Sequence, residues 1–301
     1  MSKALGTVLV GGGSGFIGTH LCNVLKNKGY GVTVISRMPG PQRMTWNDLN
    51  DSGLPHGTTA VINLAGQNVL DIKQRWNAGF KQNVFNSRIN TTSSLAKAIL
   101  NAEVKPSIFV TLSGVGIYKP DKYKEYDEDS VGEEFDFLSH LCHEWENAAK
   151  LPVCDTRRVT IRSGVVLGRT GGMIKQLYLP FYFGLGGPVA PGDQFLPWIH
   201  MSDLTRLILF AMENPKVNGI FNGVAPQTVT NKEFTEAFAS AMRRPAFIPV
   251  PKFVLDLLLN EERANMLTQG QKVLPKRVAS LGFKFEFPDI KSACKEVVKK
   301  R

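Results

Sequence analysis

Three glycines three residues apart, Gly12, Gly15 and Gly18, stand in the run Gly11-Gly12-Gly13-Ser14-Gly15-Phe16-Ile17-Gly18. A run of this kind brings main-chain amides up to a phosphate. Gly12 would permit a tight turn, Gly15 a close approach of pyrophosphate to the backbone, and Gly18 the packing of a helix on a strand, with the anion on free amides at the helix N-terminus. Gly12, Gly15, Phe16, Ile17 and Gly18 are therefore the first candidate cofactor contacts. The spacing alone is a weak signal, and its setting gives it weight: the β-branched run Thr7 to Val10 precedes it, and Phe16, Ile17, Leu21, Val24 and Leu25 follow at helical spacing. A second group lies at the end of the next apolar run, where NAD-binding proteins usually carry an acid for the ribose hydroxyls. Here the residues are Ser36, Arg37 and Met38. A carboxylate would repel a 2′-phosphate, whereas a guanidinium pairs with it bidentately and stacks on adenine, so NADP(H) is the expected cofactor. The competing reading of Arg37 is a solvated loop charge.

The elements that must position these residues alternate. After the glycine run, the helical pattern ends at Gly29, a natural left-handed cap. Gly31 to Ile35, Ala60 to Leu64, Ile108 to Leu112 and Val159 to Arg162 read as strands, with long helical patterns at Gln74 to Leu100 and Asp136 to Lys150. Strands apolar on both faces and alternating with helices mean an α/β fold with a doubly wound, Rossmann-type parallel sheet. From Gly168 the chain becomes loop-rich, with Gly171-Gly172, Gly184, Gly186-Gly187-Pro188 and Pro191-Gly192. Two further helical patterns follow, Asn231 to Met242 and Lys252 to Leu267, then a strand-like run Phe283 to Phe287. The expected organisation is a dinucleotide-binding core over 1–167 and a mixed region over 168–301 that completes the sheet and forms a small C-terminal substrate lobe over its carboxyl edge.

Composition sets limits. The 301 residues are 43% hydrophobic and 21% charged, which is ordinary for a globular chain. The formal net charge of +10 suits an anionic ligand, but no basic tract is interleaved with aromatics; the Lys299-Lys300-Arg301 tail is short, which argues against a specific nucleic-acid site. Cys22, Cys142, Cys154 and Cys294 are widely spaced without a CxxC pair, so a reducing intracellular compartment, cytoplasm or mitochondrial matrix, and no metal centre are expected. The apolar runs fall well short of the ~20 residues of a membrane span, and a first strand starting by about Thr7 leaves no room for a signal peptide.

The glycine run, Asn63-Leu64-Ala65-Gly66, the stretch Ser113 to Tyr118 and Trp198-Ile199-His200-Met201-Ser202-Asp203-Leu204 together resemble the extended short-chain dehydrogenase/reductases, which include sugar-nucleotide epimerases and dehydratases. Ser36-Arg37-Met38-Pro39, Leu185-Gly186-Gly187-Pro188 and Gly270-Gln271-Lys272-Val273-Leu274-Pro275 extend the likeness over essentially the whole chain, toward the atypical epimerase-family, NADP-dependent members of that superfamily. The resemblance implies that Leu64 and Ala65 line the dinucleotide through backbone groups and that Val166 lies near the nicotinamide amide. Arg88 falls where relatives carry an asparagine. It would meet a phosphate or ribose there, or else be a surface helix arginine.

The catalytic pattern departs from the family. Typical members use Tyr-x-x-x-Lys on one helix, the lysine lowering the tyrosine pKa for proton exchange with substrate. Counting back from Glu146, which resembles the acid four residues after that lysine, the lysine place holds Cys142 and the tyrosine place Leu138. Ser113 fits the family serine, and Tyr118 is the candidate substitute acid, although a tyrosine at that place is mostly positional in relatives. Cys142 reads as a redox-sensitive thiol or an ordinary helix cysteine, and His143 and Glu144 read as solvated. By resemblance Trp198 and His200 lie near the substrate pocket, or are a packed tryptophan and a histidine bonded to backbone. The leading expectation is an NADP(H)-binding oxidoreductase or epimerase-like enzyme of atypical mechanism acting on a small molecule. The alternative is a non-catalytic NADP(H)-binding regulatory or assembly protein whose occupancy stabilises a protein partner surface.

Overall fold

The computed structural model describes residues 5–71 and 73–299; of the basic tail, Lys300 and Arg301 lie outside the described residues. The first half runs β1 (Thr7–Gly11), α1 (Phe16–Asn27), β2 (Gly31–Ile35), β3 (Arg43–Met44), α2 (Trp46–Ser52), β4 (Thr58–Asn63), α3 (Ala78–Asn101), β5 (Ile108–Gly114), a short helical turn (Val115–Ile117), β6 (Asp121–Tyr126), α4 (Phe137–Ala148) and β7 (Arg157–Ser163). It continues with β8 (Val165–Leu167), α5 (Gly172–Tyr182), β9 (Trp198–His200), α6 (Met201–Glu213), β10 (Gly219–Gly223), α7 (Asn231–Met242), α8 (Lys252–Leu259), α9 (Glu261–Thr268), β11 (Gln271–Val273), α10 (Lys276–Ser280) and α11 (Ile290–Val298).

Seven of these strands form one sheet in the order β10-β7-β5-β4-β1-β2-β3, parallel at every pairing. The expected doubly wound α/β sheet is present. Alternation along β1 shows why both faces are covered: Val8 and Val10 join one core with α1 and α6, while Leu9 joins another with α2 and α3. A further core unites Ile174 and Phe181 of α5, Phe234 and Phe238 of α7, and Ile290 and Val297 of α11. Strands are added in one direction from β1 through β3 and in the other from β4 onward, so the winding reverses between β1 and β4, the switch point at which open sheets of this kind leave a crevice.

Three local expectations need correction. Lys252 to Leu267 is not one helix: Asn260 takes φ +68, which an α-helix cannot pass through, and its side chain caps α9 by accepting from the Arg263 amide at 3.2 Å. Phe283 to Phe287 is not a strand, because its amides go to a carboxylate instead of a neighbouring chain. Fully buried Asp203 accepts from Glu286 N at 2.7 Å and Phe287 N at 2.9 Å, while the Phe283 ring packs edge-on against Phe285. The helical pattern Gln74 to Leu100 starts later than its apolar periodicity indicates, at Ala78, where the Asn77 side chain accepts from Phe80 N.

A buried polar network ties α4 to the sheet. Glu146 of α4 receives Arg162 of β7 bidentately, Nε to Oε1 at 2.8 Å and a terminal nitrogen to Oε2 at 2.9 Å. The other terminal nitrogen of Arg162 donates to the Tyr118 hydroxyl at 2.9 Å, and that hydroxyl donates to Asn222 Oδ1 at 2.9 Å. Asn222 lies on edge strand β10, where its own amide donates to Glu128 and Arg277 donates to the Ile220 carbonyl. His200 begins α6, accepting from Ser202 N through Nδ1; it is buried against the Phe287 ring. Burial lowers its pKa from 6.5 to about 4, so the ring is neutral at physiological pH.

Two stability outcomes follow from these contacts. Arg162→Met, which leaves Glu146 buried without its partner, should cost roughly 3–5 kcal/mol in urea unfolding, and Glu146→Leu with Arg162→Met should recover most of that. The unfolded chain protonates His200 near 6.5 and the folded chain only near 4, so its contribution is complete above pH 6.5 and is lost as pH falls to about 4. Unfolding midpoints at pH 7 and pH 5 should show wild type losing about 2 kcal/mol more than His200→Asn, whose amide oxygen keeps the cap without titrating.

Candidate functional site

The glycine run lies at the switch point, and its glycines divide by what surrounds them. Gly12 has φ +73, and a Cβ there would lie 2.7 Å from Ala65 N and from Leu64 C; the turn after β1 is pressed onto the turn after β4. Leu64 N donates to Gly11 O at 2.8 Å, closing the same contact. At Gly18 a Cβ would lie 2.6 Å from Gly13 Cα, so the first turn of α1 rests on the loop. Gly15 is different. It is the N-cap of α1 with φ −80, and its Cβ would meet only Gly12 O, at 3.3 Å. Gly15 is exposed and no side chain caps the helix end, so the amides of this first turn face open space, as a pyrophosphate cradle requires. Ile17 is half-buried on α1 against the core, and the Phe16 ring fills the space beside Gly168 and Gly171 of the β8–α5 loop and Gly172 at the start of α5. A Cβ on Gly168 would lie 2.9 Å from that ring and one on Gly171 closer still, so the glycine loop touches the loop leading into α5.

The turn after β4 is built from within. Asn63 is fully buried; it accepts from Ala65 N at 3.0 Å and donates to Thr92 Oγ1 at 2.8 Å, which also accepts from Trp145 Nε1 at 3.0 Å. Sequence reading placed Leu64 and Ala65 at this turn but missed Asn63, although Asn63 opens the same motif and a buried amide at a strand end is the available signal. Ser36 and Arg37 follow β2, whose last residue Ile35 pairs with Gly11. Ser36 Oγ accepts from Met38 N at 3.2 Å, and the Arg37 side chain is exposed beside the crevice. Val166 is half-buried on β8, paired with Ile199.

Beyond β4 and β5 lies a second set. Ser113 is buried, and its hydroxyl has no hydrogen-bond partner of normal geometry although the Cys142 thiol is beside it. A Cβ on Gly114 would lie 3.3 Å from Cys142 Sγ, and one on Gly116 3.4 Å from Leu138 Cβ. Helix α4 therefore turns positions 138 and 142 toward the end of β5. Burial, and then the Glu146 carboxylate, push the Cys142 thiol up to about 11, so it is protonated at neutral pH. Arg88 of α3 donates to Gln67 O at 2.9 Å and Val84 O at 3.1 Å, with its guanidinium over the Trp145 ring at 5.0 Å. Part of its side chain reaches solvent, yet enclosure of the charged end lowers its pKa to about 10, leaving it a cation.

Tyr118 stands apart from these groups. It is fully buried, stacked on Tyr126 at 5.0 Å, and its hydroxyl is engaged by Arg162, Asn222 and the Asp127 carbonyl. Burial raises its pKa. Trp198 is likewise buried, donating to Gln227 O at 3.1 Å. His143 has a buried Nε2 without a partner, while Glu144 is half-buried. Among the described residues no group of three His, Cys, Asp or Glu could hold a metal ion, and no helix is long and apolar enough to cross a membrane.

Comparison with known proteins agrees with this architecture. The model of the NAD dependent epimerase/dehydratase family matches residues 8–222, and a domain of unknown function matches residues 250–297. The epimerase family protein SDR39U1 of Bos taurus is 52% identical over 97% of this chain and 99% of its own length. The crystal structure of human epimerase family protein SDR39U1 (isoform 2) with NADPH superposes with a TM-score of 0.95 at 49% identity, covering 97% of this chain and 98% of that one. UDP-N-acetylglucosamine 4-epimerase from Bacillus cereus shares the fold at 17% identity and a TM-score of 0.76, over 97% of this chain and 98% of its own. With a family model covering most of its length and near-full-length relatives at about half identity, the chain belongs to the NAD dependent epimerase/dehydratase family of the extended short-chain dehydrogenase/reductases.

Proposed function

We propose that the chain is an NADP(H)-binding oxidoreductase or epimerase-like enzyme of atypical mechanism. The observation that carries the reading is the uncapped, open N-terminus of α1 at Gly15, set at the switch point by the close contact of Gly12 with Leu64 and Ala65. The human relative, whose crystal structure contains NADPH, supports it. In this reading Gly12, Gly15, Phe16, Ile17 and Gly18 hold the pyrophosphate region, and Ser36 and Arg37 take the 2′-phosphate. Leu64, Ala65, Arg88 and Val166 line the remainder toward the nicotinamide. A bound nicotinamide supplies hydride chemistry, and this chain supplies orientation and electrostatics. Ser113 is the polar group we assign to the substrate. Tyr118, kept as the candidate acid by sequence reading, is reassigned here as a strut, since its proton is committed to Asn222 or Asp127 and its ring is sealed.

A second reading, a non-catalytic NADP(H)-binding regulatory or assembly protein, is favoured by Leu138 and the protonated Cys142 facing the end of β5, where neither group can exchange protons at neutral pH. Turnover separates the two: oxidation of NADPH with an added carbonyl or sugar nucleotide belongs to the enzyme, whereas binding of NADPH and a protein without turnover belongs to the sensor. We place either protein in a reducing intracellular compartment, cytoplasm or mitochondrial matrix, because its four cysteines are free.

Isothermal titration should give tighter binding of NADPH than NADH, and Arg37→Ala should erase most of a preference of ~10- to 100-fold, the size of a charge-assisted pair. Equal affinities in wild type would remove the 2′-phosphate assignment. Gly15→Val should leave the circular-dichroism spectrum intact and abolish NADPH binding, because the new side chain has room in the fold but occupies the cradle. Gly12→Val should fail to fold, having positive φ and backbone within contact distance.

A further inference from the structure

The outer rim of the C-terminal lobe carries apolar surface that the fold does not cover. Nine of the sixteen exposed large apolar side chains among the described residues fall in two short segments, 179–185 and 247–258. Leu179, Phe183, Leu185, Phe247, Phe253 and Leu257 stand out among them, 61–84% exposed. The two segments are neighbours in space. Arg244 Nε donates to Tyr182 O at 2.9 Å, Ile248 N to Gly186 O at 3.2 Å and Val250 N to Pro188 O at 2.9 Å. Helix α8 starts two residues past Val250 and continues the surface. Six of its eight residues are apolar, yet only Leu255 is buried. Phe253, Val254, Leu257 and Leu258 share the side turned away from it, against the ordinary orientation of an amphipathic helix.

With on the order of 100 Å² from each of the nine side chains, this face approaches roughly 1,000 Å², against ~300–600 Å² for the largest patch on a typical monomer. A small ligand would leave most of it wet. Tyr182 is the one side chain in 179–190 and 245–251 able to hydrogen-bond, whereas a protein interface carries about one hydrogen bond per 100–200 Å². The charges at the border are of one sign. Lys175, one turn from Leu179, and Arg243 and Arg244, just before Phe247, are exposed, and the one acid within 172–190 and 243–259, Asp256, is held by Lys252 at 2.7 Å. A second copy would bring two sets of the same cations into one contact, on a chain of net charge +10. An anionic lipid surface matches those cations and offers hydrocarbon beneath, which asks for no hydrogen bonds. We propose that this face docks on an anionic lipid bilayer, with Phe183, Phe247, Phe253 and Leu257 entering the acyl boundary and Lys175, Arg243 and Arg244 at the level of the lipid phosphates. The contact is with the membrane surface and involves no crossing helix. None of these residues is among the proposed cofactor contacts, so the docking face stands or falls apart from the NADP(H) reading.

The test sediments the intact chain with vesicles of phosphatidylcholine and with vesicles in which about one lipid in three is phosphatidylglycerol. Wild type should bind the second about tenfold or more tightly, and the preference should shrink as salt is raised. Phe253→Glu with Leu257→Glu should keep the circular-dichroism spectrum and the wild-type NADPH affinity, because both side chains are exposed in the fold, and should lose about tenfold or more in binding to the anionic vesicles. Lys175→Gln with Arg243→Gln should lose roughly tenfold on the anionic vesicles and little on phosphatidylcholine. Should the glutamate variant not fold, Phe253→Trp carries the test: its emission should shift to the blue on the anionic vesicles and be quenched by brominated acyl chains. The inference is overturned by wild type that ignores the anionic vesicles or binds phosphatidylcholine equally well, by either double variant binding undiminished, or by a Phe253→Trp emission that no vesicle changes. It is likewise overturned if wild type leaves the vesicles and instead self-associates, or holds an acidic protein, through a contact that the glutamate variant loses.

Discussion

The Arg162–Glu146 pair is the contact on which the candidate site depends. Its two short bonds lie in an interior from which water is largely excluded, and Arg162 extends the pair through Tyr118 to Asn222. Each member belongs to a different segment: Glu146 to α4, Arg162 to β7, Tyr118 to the turn after β5, and Asn222 to β10. Fixing Glu146 fixes the rotation of α4 and hence the direction of Leu138 and Cys142. Fixing Tyr118 fixes the turn Val115–Ile117 that follows Ser113 and the end of β5. A buried ion pair is weak evidence for net stability, because desolvation offsets much of the attraction, but it is intolerant of losing one member. Geometry is what the network contributes here, and an apolar core could not impose the same directional constraint.

At the other end of the crevice the constraint is steric. Gly12 and Gly18 are required because backbone occupies the space of a Cβ, whereas at Gly15 only the Gly12 carbonyl oxygen, at 3.3 Å, borders that space and the rest of it is open. The same loop therefore contains glycines of folding and a glycine of function. Asn63 completes the arrangement by supplying, from a side chain, the hydrogen bond that the Ala65 amide would otherwise lack beside the sheet.

Much of this was legible in the sequence where structure is local. The glycine run, the apolar strands β1, β2 and β5, and α7 announce themselves through periodicity and turn residues, and they lie where those signals put them. The strands β6, β8, β9 and β11 are too short or too polar for such a signal; Asp121–Tyr126 contains four charged residues in six. Lys252 to Leu267 reads as one helix because apolar spacing does not report the φ of Asn260. Phe283 to Phe287 reads as a strand because its true partner, the Asp203 carboxylate, is 83 residues from Glu286 and 84 from Phe287 in sequence. At the site, residue type outran context: Tyr118 is a reactive group by chemistry and a sealed one by surroundings, whereas the enclosure of Arg88 and the unpartnered state of Ser113 exist only once α3, α4 and β5 are assembled.

The network also finishes the sheet at β10. This edge strand has its Asn222 amide taken by the Glu128 carboxylate and its Ile220 carbonyl taken by the Arg277 guanidinium, so side chains occupy positions where another strand would add. The opposite edge, β3, is two residues long and follows Pro39 and Pro41. Neither margin offers a long unpaired ladder to a stray peptide, the usual template for edge-to-edge aggregation of parallel sheets. Glu128, bonded to the Asn222 on which the network ends, and Arg277 beside it thus cover the margin through which the sheet could otherwise be extended.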